Sequence, residues 1–180
     1  MALPVTIYKA SIQLADLDRS IYETLQATVA RHPSETEERL VGRLLAYALL
    51  YEEGLVFTKG VCEGDEPDLW SKAPDDRIRS WIEVGLPDPE RLLKARRHAD
   101  QVVLLAFGAK LPGWERQHLD KLINSSNITV ITLEQEFINQ LVARLKRSVS
   151  WSITITEGNL YLQDGNETLE TTPKRYQQAS

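Results

Sequence analysis

Ile78-Arg79-Ser80-Trp81-Ile82-Glu83-Val84, then Asp88-Pro89-Glu90, then Val102-Val103-Leu104-Leu105-Ala106-Phe107 are the three pieces of one stretch that decide the fold. The first is rich in β-branched and aromatic residues and reads as a strand. The second is an N-cap, a first-turn proline and an acid at the positive helix end, and it opens a helix through about Ala99. The third is an unbroken apolar run, the signature of a strand covered on both faces. Strand, helix and strand in this order make a parallel crossover, right-handed by default.

Working outward, residues 113 to 123 read as a helix, Ile128 to Leu133 as another buried strand, and 134 to 146 as a helix. Upstream, Leu55 to Val61 and Pro67 to Ser71 read as strands that form a meander with Ile78–Val84. Before them His32-Pro33-Ser34 opens a helix, with Ser34 and Glu37 at capping-box spacing and Leu40, Val41, Leu44, Leu45 and Ala48 as its apolar stripe. That helix stops by Gly54. At the N-terminus residues 4 to 14 and Ile21 to Val29 alternate around the turn Asp16-Leu17-Asp18-Arg19. At the C-terminus Trp151 to Thr172 holds two turn signals between three short strands. The fold class is α/β (α+β mixed): a central mixed sheet flanked by helices, with additional antiparallel strands from both termini. The N-terminal hairpin covers 4–30, the C-terminal β-meander covers 149–172, and 1–180 is expected to be a single domain.

The chain has 180 residues, 42% hydrophobic and 26% charged, with a net charge of −5. A core of this size buries about 70% of the unfolded surface and needs no staple. No apolar run approaches a bilayer span and the start has no secretory pattern, so the expectation is a cytoplasmic protein without membrane association. The single cysteine, Cys62, is read as a small core filler. The acidic balance disfavours avid, sequence-independent nucleic-acid binding. It is uneven, however: nine acids stand against three bases in residues 63 to 90, and Arg91, Lys94, Arg96 and Arg97 follow directly.

Pro67-Asp68 stands fifteen residues before Glu83. Two carboxylates brought into one cleft by neighbouring strands suit a hard divalent cation, Mg²⁺ with Mn²⁺ as the substitute, because such ions take oxygen ligands. The plainer reading is a pair of solvated acids, although an acid inside Trp81-Ile82-Glu83-Val84 is disfavoured without a partner. Arg91 and Arg97 have the geometry to hold phosphate, and equally form the outer face of an ordinary helix with Lys94. His32 is read as fixing the entrance to the first helix. Trp70 and Trp81 are read as core residues before base-stacking ones.

Several stretches resemble the YaeQ family of small bacterial proteins: Thr6-Ile7-Tyr8-Lys9-Ala10, Ala30-Arg31-His32-Pro33-Ser34-Glu35-Thr36, Asp65-Glu66-Pro67, and Trp81-Ile82-Glu83-Val84-Gly85-Leu86-Pro87. The likeness runs over nearly the whole chain. It implies a variant of the PD-(D/E)xK nuclease superfamily, with a restriction-endonuclease-like core over about 34–133. Carried onto this sequence, it makes Asp68 and Glu83 the metal-binding and catalytic acids, and Glu38 on the first core helix a third metal ligand. The motif lysine is absent, with Gly85 in its place, and Lys94 on the following helix is the candidate substitute. The implied function is a Mg²⁺-dependent nuclease or phosphodiesterase acting on nucleic acid, with Arg91 and Arg97 on flanking phosphates. The alternative is a non-catalytic protein of the same fold that binds nucleic acid or a protein partner, with transcription as one setting.

Overall fold

The computed structural model describes residues 3–59 and 64–179. Cys62 and the end of the strand expected over Leu55–Val61 lie outside the described residues. Among these residues stand eleven strands and four helices: β1 (Thr6–Asp16), β2 (Ile21–Arg31), α1 (Glu37–Leu49), β3 (Val56–Phe57), β4 (Leu69–Lys72), β5 (Ile78–Val84), α2 (Pro89–Ala95), β6 (Ala99–Ala106), α3 (Leu111–Ile123), β7 (Ile128–Thr132), α4 (Gln135–Ala143), β8 (Ser148–Thr156), β9 (Asn159–Asp164), β10 (Glu167–Thr171) and β11 (Lys174–Gln177).

They form two mixed sheets. The six-stranded one runs β11-β7-β6-β5-β4-β3, with β5, β6 and β7 parallel and the β3-β4-β5 meander antiparallel. The five-stranded one runs β10-β9-β8-β1-β2. Here the expectation of purely antiparallel terminal strands is corrected, because β1 pairs with β8 in parallel from Lys9 opposite Ser148 to Asp16 opposite Ile155. That pairing joins strands far apart in sequence, and local alternation carries no information about it. The last strand, β11, also escaped the sequence reading: Lys174-Arg175-Tyr176-Gln177 is polar because it covers an outer edge, that of β7.

Helix α1 is buried nearly all round, from Leu40 to Ala48 with only Tyr47 half-exposed. A helix of that kind must be sandwiched, and one apolar cluster runs from β1 and β8 through α1 and α4 to β4, β5 and β7. A second cluster, including Leu92, Val102, Trp114, Leu122 and Val130, seats α2 and α3 on the other face of the six-stranded sheet. The cap of α1 differs from the expected box. Thr36 is the N-cap and its hydroxyl accepts from the Arg39 N–H at 3.2 Å, while the Ser34 hydroxyl bonds His32 Nδ1 at 2.7 Å. His32 therefore holds the entrance turn, also through its carbonyl, which accepts from the Glu35 N–H. Asp88 caps α2 as expected, bonding the Glu90 N–H at 3.0 Å. That helix ends at Ala95, and Ala99 already opens β6.

Candidate functional site

The meander and the first crossover converge at the end of β5, and a cleft of about 460 Å³ opens there between α1, α2 and the loop before β4. Among the described residues its charged lining consists of Glu38, Arg39, Glu66, Asp68, Glu83 and Arg91. Four carboxylates against two guanidiniums leave a formal charge of −2.

Asp68 sits just before β4 and is 4% exposed. Its main chain already joins the meander, the N–H donating to Ile82 O at 3.0 Å and the carbonyl accepting from the Thr58 N–H at 3.1 Å. The carboxylate accepts from the Val84 N–H at 2.9 Å and from the guanidinium of Arg39. Glu83, in the body of β5, is also 4% exposed. Its Oε1 accepts from the indole Nε1 of Trp81 at 2.9 Å and from Arg91 Nε at 2.7 Å. Burial raises the Glu83 pKa above the usual carboxylate value. The Trp81 bond and Arg91 act against that rise, and the Asp68 charge adds to it. Two buried acids thus line one cleft that carries a formal excess of negative charge.

Arginines from two helices supply the counter-charge. Arg39 on α1 reaches both Glu35, at 3.1 Å, and Asp68. Glu35 is itself buried and holds Arg43 through both carboxylate oxygens at 2.8 Å. Arg91 on α2 clamps Glu83 and also donates to the carbonyls of Gly64 and Glu66, tying that loop to the cleft. Sequence reasoning placed Arg91 on a flanking phosphate and missed Arg39 and Arg43. The signal was present in the four-residue spacing of Glu35, Arg39 and Arg43, the arginines on one face of α1 and Glu35 just before its N-cap.

Of the sequence candidates, the structure brings Asp68, Glu83, Glu38 and Arg91 to one cleft. Glu38 is half-buried there. Lys94 is 75% exposed and stands 4.0 Å from Asp65. It is not among the residues lining the cleft, and neither is the exposed Arg97. Gly85 follows Glu83 by two residues with φ +95°, and its N–H donates to Leu105 O at 2.9 Å. This is left-handed backbone, so a lysine at that position would be strained whatever space surrounds it. Trp81 is buried, as read from the sequence, but it also positions Glu83. Trp70 is half-buried against it, with the Lys72 ammonium 4.1 Å from its ring centre.

The acidic side chains that line the cleft offer carboxylate oxygens, the donor type that a hard divalent cation takes. Among the described residues no three acidic, histidine or cysteine side chains already stand as a ready ligand group. An ion bound here would therefore displace an arginine from Asp68 or Glu83 and complete its shell with water, as Mg²⁺ commonly does. Among the described residues no helix is long and apolar enough to cross a membrane.

Comparison with known proteins places this chain and its fold among relatives. The sequence model of the family described as YaeQ protein matches residues 1–173. The protein named uncharacterised protein YaeQ in Escherichia coli (strain K12) is 39% identical over the full length of both chains, and so is that of Salmonella typhi. The crystal structure of the YaeQ protein from Xanthomonas axonopodis pv. citri superposes with a TM-score of 0.92 at 32% identity, covering 98% of this chain and 100% of that one. The Pseudomonas syringae YaeQ structure gives 0.91 at 41% identity over 97% of each.

Proposed function

The chain belongs to the YaeQ family, and from that premise we propose that its cleft is a divalent-cation site for phosphodiester hydrolysis, a variant of the PD-(D/E)xK arrangement. The observation that carries this reading is the pair of buried carboxylates, Asp68 and Glu83, at the base of a cleft with an excess of negative charge. Asp68 and Glu83 would hold Mg²⁺ or Mn²⁺, with Glu38 bound directly or through water. The cation supplies an acidified water and charge neutralisation for the transition state. Arg39 and Arg91, freed from their carboxylates, turn from counter-ions into phosphate ligands, a task for which the planar guanidinium is suited. Arg91 takes the position on the following helix that the sequence reading gave to Lys94. Nucleic acid is the substrate class that matches this chemistry.

Calorimetric titration with Mn²⁺ and Mg²⁺ tests the reading. Binding is expected in the native chain and absent in Asp68→Asn/Glu83→Gln, with cleavage of single- or double-stranded nucleic acid abolished by either single change. No binding heat, together with an unaltered double variant, would sink the metal site. A second reading has its own observation. Gly85 in left-handed backbone and Lys94 outside the cleft leave no lysine among the described residues that line the site, which favours a non-catalytic member that retains the ion pairs to bind nucleic acid or a protein. Metal binding without cleavage of any substrate would select it.

A further inference from the structure

Strand β2 is an open edge without the usual defences. It is eleven residues long, pairs residue for residue with β1 from Ile21 opposite Asp16 to Arg31 opposite Thr6, and has no bulge. On its other side no strand pairs with it among the described residues. The ladder direction is fixed by β1. The N–H groups of Lys9 and Leu17 donate to Arg147 O and Ile155 O on the β8 side. The even residues of β1 therefore bond the odd residues of β2, and Tyr22, Thr24, Gln26, Thr28 and Ala30 turn their backbone groups outward. Of these outward groups the Ala30 carbonyl accepts from Arg43 at 3.0 Å.

Natural edges are kept short, charged, bulged or covered. The other three edges obey that rule: β3 has two residues, β10 carries Glu167 and Glu170, and β11 carries Lys174 and Arg175. By contrast, Thr24-Leu25-Gln26-Ala27-Thr28-Val29-Ala30 holds neither charge, proline nor glycine. We propose that this edge is the interface between two copies of the chain, joined β2 to β2 across a two-fold axis into a continuous ten-stranded sheet. The occupant is named by self-complementarity. An axis beside Ala27 sets Gln26 opposite Thr28 and Leu25 opposite Val29 of the second copy, and in the same register it sets Glu23 opposite Arg31, twice. These are the two charged residues of the strand, one of each sign. The register also brings Tyr22, 63% exposed, to the end of the seam opposite His32 of the other copy.

Sedimentation velocity from about 1 μM to about 1 mM, spanning weak to moderate affinities, reads the state directly. The native chain is expected at twice its 20.4 kDa mass in the upper part of that range. Gln26→Pro removes one outward N–H and none of the backbone bonds to β1, giving up only the exposed side-chain bond from Gln26 Nε2 to Ser11 Oγ at 3.0 Å, so the monomer is expected with unchanged far-UV circular dichroism. Gln26→Lys, which keeps the N–H and adds a gatekeeping charge, is expected to weaken the dimer at least tenfold. Glu23→Arg is expected to do the same, and Glu23→Arg/Arg31→Glu to recover it. A native chain that stays monomeric to the top of the range overturns the proposal. A dimer unmoved by both Gln26 variants overturns it too.

Discussion

Glu83 is held between opposing influences, and this has a consequence for stability. Its pKa lies above the ordinary 4.5 because burial penalises the charged form more than Trp81 and Arg91 favour it. The folded chain then binds this proton more tightly than the unfolded chain. Stability from this group is present in full below the unfolded pKa and is lost as pH rises through the higher folded value. Urea unfolding across a pH series should show a decline that begins near 4.5, and Glu83→Gln should flatten it. An identical slope in the variant would mean another group is responsible. Arg43 gives a larger effect. It is 3% exposed, and its partner Glu35 is 4% exposed. Truncating one member of a buried pair strands the other charge and costs about 3–5 kcal/mol. Arg43→Ala should lower the urea midpoint accordingly, whereas a loss under 1 kcal/mol, the scale of a surface pair, would show that the site relaxes into water. At this scale the burial of Glu83 with a partner was legible, because a carboxylate inside a hydrophobic strand conflicts with its surroundings. The identity of the counter-ions was not: arginine on a helix looks the same whether it faces solvent or a buried acid.

Elements with local determinants were read directly, and those fixed by distant contacts were not. Asp88-Pro89-Glu90 opens α2 because cap, ring and charge all act within one turn, and Asp88→Ala should cost about 1 kcal/mol in thermal or urea unfolding. The parallel seam of β1 with β8 has no such local signature. Helix α1 shows how tertiary packing overrides propensity. Gly42 lies inside it, and replacing glycine by alanine in a helix interior ordinarily stabilises by about 1 kcal/mol. Here an added Cβ would stand 2.3 Å from the ring of Phe107, a residue that is 4% exposed. Overpacking costs about 1–3 kcal/mol, which outweighs the propensity gain. Gly42→Ala should therefore destabilise, and Phe107→Leu in the same chain should recover part of the loss. Because Phe107 also borders the cleft, the single variant should weaken Mn²⁺ binding as well. A stabilised Gly42→Ala chain would show that the ring yields freely.

Across the whole molecule, the two sheets differ in how their margins are closed, and β11 carries most of that burden for the six-stranded sheet. It pairs Lys174 to Gln177 against Thr132 to Thr129, and Tyr176 packs on the cluster under α3. The strand it covers, Ile128-Thr129-Val130-Ile131-Thr132, is buried throughout, uncharged and β-branched at every position. Removing residues from Lys174 onward has two costs. The first is the lost ladder, a few kcal/mol at about 1 kcal/mol per net hydrogen bond. The second is kinetic: it uncovers an edge with the composition of an aggregation-prone segment. A net charge of −5 opposes association of whole chains, but two of the residues removed, Lys174 and Arg175, are the cations that guard this edge. The truncated chain should unfold at lower temperature and scatter light as it does so, while the full chain at the same concentration stays clear. If both melted alike without scattering, the protection of β7 would have to come from α3 and α4 instead, and the polar terminal strand would be dispensable to the sheet it completes.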